Sequence, residues 1–225
     1  MSDDPIVIVG MARTPMGGFQ GDLSDVKAPQ LGSIAIEAAM SRAGVTGEDI
    51  DEVIMGCVLP AGLGQAPARQ ASFGAGIADS VGCTTVNKMC GSGMRAAMYG
   101  FDALMAGSNN IVVAGGFESM TNAPYILPKM RTGLRLGHGE VKDHMFLDGL
   151  EDAYEEGRLM GSFAEETAGL YQFTREAQDS YAIESLKRAK QATEDGSFAA
   201  EIAPVTYKSR KGDVTIDKDE QPLKG

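Results

Sequence analysis

TTVNKMCGSGMRAAMYGFDALMAGSNNIVVA, residues 84–114, is the stretch on which the fold turns. TTVN is a short β-branched run of strand character, and IVVA at 111–114 is another. Between them Met94, Ala97, Met98, Phe101, Leu104 and Met105 recur at three- and four-residue spacing, which predicts a helix over 92–107 with that side buried. The same alternation extends toward the amino terminus. IVIV at 6–9 reads as a strand that stops at Gly10 and passes into turn-rich ARTPMGGFQGDL. Pro29 suits the first turn of a helix whose apolar side is Leu31, Ile34, Ala35, Ala38 and Ala39, with Gly44 as its stop. EVIMGCV at 52–58 reads as a strand and 68–77 as a helical stretch. The strands are continuously apolar rather than alternating, so the expected class is α/β: a mostly parallel sheet with helices on both faces.

After Gly116 the character changes. Residues 117–161 carry little periodicity and are rich in Met, Gly and charge, the mark of a functional lid or an inserted subdomain. Helices then resume. Ser162 with Glu165 three residues on suggests a capping box, and Thr174 caps a long helix with Ala182, Leu186 and Ala189 on one side. PVTY and VTID, around Arg210, Lys211, Gly212 and Asp213, suggest a closing hairpin.

Composition excludes several function classes. A formal net charge of −11 argues against a sequence-independent grip on nucleic acid or an anionic membrane, both of which require clustered positive charge. Lys129, Arg131, Arg135 and Lys142 form a locally basic stretch, suited either to a small anionic ligand or to plain solvation. No apolar run approaches the roughly 20 residues of a membrane span, and MSDDPIVIVG has no basic leader. Cysteines at 57, 83 and 90, without a C-x-x-C pair, fit neither a disulfide framework nor a metal site, and a reducing cytoplasm is the expected compartment.

Cys90 stands in the turn just before a helix amino terminus, where free N–H groups and the positive end of the helix dipole favour the thiolate, the nucleophilic form. Gly91 and Gly93 open the backbone around it, as an oxyanion-binding turn requires. Cys57, inside a strand, and Cys83, at a strand start, read as small apolar residues. His138 and His144 read as surface or loop-packing residues.

NKMCGSGMRA, together with ARTPMGGFQG, LPAGLGQAPARQASFGAGI, VVAGGFESMTNAPY and LMGSFAEETA, resembles the amino-terminal part of a thiolase of the acetyl-CoA acetyltransferase type. Five separated motifs in order make the resemblance specific. It implies a layered αβαβα architecture of two similar halves, with a CoA-contacting loop domain inserted in the first. Residues 1–116 would be the nucleophile-bearing domain, 117–208 the insertion and 209–225 the start of the return, the second half lying outside this chain.

The resemblance further implies that Cys90 takes an acyl group from acyl-CoA as a thioester and passes it to a second acetyl-CoA or to CoA. Leu150 and Met160 match positions lining the CoA and substrate pocket. Coenzyme A thioesters are substrates, no separate cofactor or metal is implied, and the family forms dimers or tetramers. Leu159 stands where many members carry a histidine before Met-Gly, so that contact does not transfer. The histidine and second cysteine that thiolases use for proton transfer belong to a later region, so this piece alone is expected to be inactive, with strands missing from its sheet and an apolar face uncovered. The alternatives are a β-ketoacyl synthase-like condensing enzyme and a non-catalytic CoA-binding half-subunit. A dinucleotide-binding enzyme is disfavoured, because no strand is followed by G-x-G-x-x-G.

Overall fold

Three parallel strands, β1 (Glu52–Gly56), β2 (Gly82–Val86) and β3 (Val112–Gly116), form the central sheet in the order β2-β1-β3. The register sets Glu52 against Gly82 and Val112, and Gly56 against Val86 and Gly116. The structure is a computed structural model describing residues 5–210 and 212–224. The α/β class with a parallel sheet between helices is as the sequence predicts.

On one face of the sheet, Val53, Met55 and Cys57 pack with Ile36 and Met40 of helix α1 (Ala28–Ala43) and with Ala68 and Ala71 of helix α2 (Pro67–Gly74). Ile50, Ile77 and Phe117 complete this core. Each large apolar side chain buried here stabilises the fold by about 1.5–3 kcal/mol relative to exposure. Pro29 stands in the first turn of α1, and Gly44 ends it in the left-handed region at φ 70, its N–H returning to the Met40 and Ser41 carbonyls. The buried side of α1 differs from the expected one: Gly32, Ser33, Ile36 and Met40 face inward. Leu31 and Ile34 instead pack, half-buried, against a second small cluster of Leu23, Val26 and Val205.

On the opposite face lies helix α3 (Ser92–Met105), and here the sequence expectation is overturned. The residues α3 buries are Ser92, Ala96 and Gly100, a small-residue row at four-residue intervals. The Met and Phe side points outward: Met94 is 69% exposed, Phe101 52% and Met105 52%. Close approach explains the choice. A Cβ on Gly56 would stand 2.6 Å from the Ser92 carbonyl carbon and 2.7 Å from the Gly93 nitrogen. Backbone therefore lies directly on backbone, and only small residues fit between helix and sheet.

A second correction concerns residues 6–9, which form no strand among the described residues. Val7, Ile8 and Val9 are exposed, and the segment runs beside α1, where a Cβ on Gly10 would meet the Ala39 carbonyl. The outer edge of β3 is left unpaired among the described strands, and residues 6–9 do not add to it. The described sheet has three strands, and α3 turns Met94, Met98, Phe101 and Met105 toward solvent.

The segment after β3 contains a two-residue antiparallel pair, β4 (Tyr125–Ile126) with β5 (Lys142–Asp143), and a π-helical turn at Phe146–Leu150. Helix α4 (Met160–Leu170) begins earlier than a cap at Ser162 would allow. Leu159 is its N-cap, fixed by a bridge to Glu151, and Ser162 lies inside the helix. Thr174 does cap helix α5 (Arg175–Glu194), its hydroxyl accepting from the Ala177 N–H at 3.2 Å. The predicted apolar side of α5 is not buried, Leu186 being 41% exposed. The hairpin forms as β6 (Val205–Ser209) against β7 (Gly212–Ile216); Lys211, which the sequence places in its turn, lies outside the described residues.

Distant parts of the chain meet at Arg13. Its guanidinium grips the buried Asp219 through two bonds of 2.6 and 2.9 Å, and its Nε donates to Glu201 at 2.6 Å. Beside it the buried Glu220 accepts from the Gly18 and Asp22 N–H groups and pairs with Lys224.

Candidate active site

β2 ends at Val86 and α3 begins at Ser92, leaving five residues to reverse direction. The turn is stitched at both ends. Asn87 accepts from the Met89 N–H at 2.9 Å through its own side chain, an Asx-type closure. The buried Ser92 hydroxyl accepts from the Lys88 N–H at 2.8 Å and donates to the Met89 carbonyl at 2.6 Å. Met89 is forced to φ 51, a left-handed conformation that is costly for a side chain of its size. Next to that strained residue stands Cys90, exposed, followed by Gly91 as the N-cap of α3.

The three thiols occupy different surroundings. Cys57 is 1% exposed, and burial pushes its thiol up to about 12, with the charge of Glu118 and a hydrogen bond to it acting in the same direction. Such a thiol is inert near neutral pH. Cys83 is half-buried and donates to the Val81 carbonyl. Cys90 alone of the three lies open to solvent, at the start of a helix. A Cβ on Gly93 would point toward Gly115 and Gly116 of the sheet, so that glycine faces the sheet rather than the sulfur.

Leu150 and Met160 come together. Leu150 ends the π-helical turn, Met160 opens α4, and the antiparallel bridge between Glu151 and Leu159 sets them side by side. His144 is loop packing, as expected: it is buried, its Nδ1 lies 2.6 Å from Asp148, and its Nε2 accepts from the Ala61 N–H at 3.4 Å. His138 is exposed. Of the basic stretch, Lys129, Arg131 and Arg135 lie exposed on the loop between β4 and β5, and Lys142 pairs with Glu140 and Glu156. No cluster of three metal-ligating side chains occurs among the described residues, and none of their helices is long and apolar enough to cross a membrane.

Sequence reasoning missed Asn87, Ser92 and Glu118. Asn two residues before Met89 and Ser at the helix start are local turn signals that could have been found. Glu118, whose carboxylate accepts from the Val58 and Leu59 N–H groups at 2.7 and 3.0 Å, is bound across some sixty residues and leaves no local sign.

The family model described as "Thiolase, N-terminal domain" matches residues 6–225. The chain belongs to the thiolase family. Among curated proteins it is 52% identical over 217 residues to acetyl-CoA acetyltransferase 2 of Arabidopsis thaliana, covering 96% of this chain and 54% of that one. It is 48% identical to an acetyl-CoA acetyltransferase of Cupriavidus necator, covering 96% of this chain and 55% of that one, and 47% identical to one of Candida albicans, covering 96% and 54%. This thiolase chain thus spans about half the length of the curated relatives it matches. The match favours thiolase over a β-ketoacyl synthase-like enzyme.

Proposed function

We propose that this chain supplies the nucleophile of an acetyl-CoA acetyltransferase. Cys90 Sγ attacks the thioester carbonyl of acetyl-CoA, and the tetrahedral intermediate expels CoA. The thiol proton leaves with the CoA sulfur, giving S-acetyl-Cys90 and free CoA. A second acetyl-CoA, deprotonated at its methyl carbon, then takes the acetyl group to give acetoacetyl-CoA; in reverse, CoA cleaves acetoacetyl-CoA. Leu150 and Met160 line the acyl-CoA site in this reading, and residues beyond these 225 supply the acid and base. Coenzyme A thioesters are the substrates, without a separate cofactor, and the intact enzyme works as a homodimer or tetramer in the cytoplasm.

The observation that carries the reading is the setting of Cys90: an exposed thiol after a strained residue, at the amino end of a helix packed directly on the sheet. The names of the relatives support the substrate. Incubating the intact protein with isotope-labelled acetyl-CoA and mapping peptides by mass spectrometry tests it. The label is expected on Cys90 and absent in Cys90→Ala; a label that persists in the variant, or resides on Cys57 or Cys83, overturns the assignment.

A further inference from the structure

We propose that Glu118 and Asn87 are positioning residues that hold Cys90 in register with the segment carrying Leu150 and Met160. The proposal rests on the acyl-transfer reading above and adds what aligns the two parts of that site.

The joint is the loop after β1. Glu118 Oε2 accepts from the Val58 N–H at 2.7 Å, and Oε1 accepts from the Leu59 N–H at 3.0 Å and from the Cys57 thiol at 3.5 Å. From this pinned loop one contact runs to the nucleophile. The Asn87 amide nitrogen donates to the Val58 carbonyl at 3.5 Å, while its amide oxygen accepts from the N–H of Met89, the residue before Cys90. The two partners fix which way the amide points, one requiring a donor and the other an acceptor.

Two further contacts run to the other wall. The Leu59 side chain lies against Gly149, where a Cβ would stand 3.3 Å from it, and the Ala61 N–H donates to His144. Gly149 immediately precedes Leu150, and His144 stands two residues before the π-helical turn that Leu150 ends. One four-residue stretch of that loop, 58–61, therefore touches both the turn bearing Cys90 and the segment bearing Leu150, and Glu118 fixes it.

The chemistry demands a carboxylate at 118. Two backbone N–H groups approach its two oxygens from one side, so a glutamine amide nitrogen there would face an N–H and leave a donor unpaired. Asn87 in turn needs both its functions. A serine at 87 keeps an acceptor for the Met89 N–H but has no reach to Val58, so it preserves the turn and cuts the link.

The test compares Glu118→Gln and Asn87→Ser with wild type in the intact protein. It measures Cys90 acetylation by acetyl-CoA, kcat and KM, Cys90 alkylation by iodoacetamide, and the unfolding temperature. Misplacement by about 1 Å costs on the order of a hundredfold, so acetylation and kcat are expected to fall by about that factor with KM changing less. Iodoacetamide, which needs no alignment with a CoA site, is expected to react within about threefold of the wild-type rate. Acetylation near the wild-type rate in Asn87→Ser overturns the proposal, as does an equal fall of acetylation and alkylation; that variant decides the matter if Glu118→Gln does not fold. A wild-type protein that takes no acetyl group overturns the acyl-transfer reading itself. Normal wild-type acetylation with unimpaired variants overturns only the positioning role.

Discussion

Replacing Gly56 by alanine should separate α3 from the sheet and move Cys90 with it. The new Cβ would stand 2.6 Å from the Ser92 carbonyl carbon and 2.7 Å from the Gly93 nitrogen. Both are backbone atoms and neither can rotate aside, so reaching an ordinary contact of about 3.4 Å requires the first turn of α3 to retreat by roughly 0.8 Å. Overpacking of this kind costs about 1–3 kcal/mol, which for a protein of this size lowers the unfolding temperature by about 2–4 °C per kcal/mol. Cys90 is tied to Ser92 through the bonds of that hydroxyl to Lys88 and Met89, so it shifts too. A displacement near 1 Å is enough to slow its acetylation on the order of a hundredfold. Calorimetry and the rate of acetyl transfer to Cys90 in the intact protein read the two effects. Gly169→Ala is the control, since a Cβ there meets open space and alanine is the better helix former. A Gly56→Ala protein as stable and as fast as wild type would refute the reasoning.

Two pH dependences follow from buried groups. The Lys224 ammonium, with the Gly18 and Asp22 N–H groups, holds Glu220 down to about 2 from its usual 4.5. Its stabilising contribution is therefore complete above pH 4.5 and is lost as pH falls through about 2. Glu220→Gln should flatten that acid limb in urea midpoints taken across the range, and identical acid limbs in the two proteins would refute it. Cys57, raised to about 12 from 9.0 chiefly by burial, acts at the other extreme: its contribution is intact below pH 9 and lost as pH rises toward 12. Cys57→Ala should lower stability at neutral pH yet lose less on going from pH 9 to 11, and an unchanged alkaline slope would count against this account.

The parallel sheet was legible because its strands are short, rich in β-branched residues and separated by helical periodicity. The Cys90 turn was legible because glycines and a helix start frame it. The buried side of α3 was not. Counting hydrophobic residues finds the row of Met94, Met98, Phe101 and Met105, but Ser92, Ala96 and Gly100 form a second row in the same helix, and close backbone approach favours the smaller one. Apolar periodicity says that a face wants cover without saying which neighbour supplies it. Residues 6–9 failed for a related reason: β-propensity describes a fit to neighbouring strands, and none of the described strands pairs with them. Glu118 was illegible because its partners are backbone groups on a loop about sixty positions away, which no residue type announces.

The Arg13–Asp219 clasp joins positions 206 residues apart, which bears on the order in which the molecule can be built. A ribosome extending the chain at roughly 5–20 residues per second exposes the arginine some 10–40 seconds before its carboxylate has been made. During that interval the guanidinium has only water and transient neighbours. The clasp is thus a late event of synthesis, adding non-local topology to a sheet whose own crossovers are comparatively short.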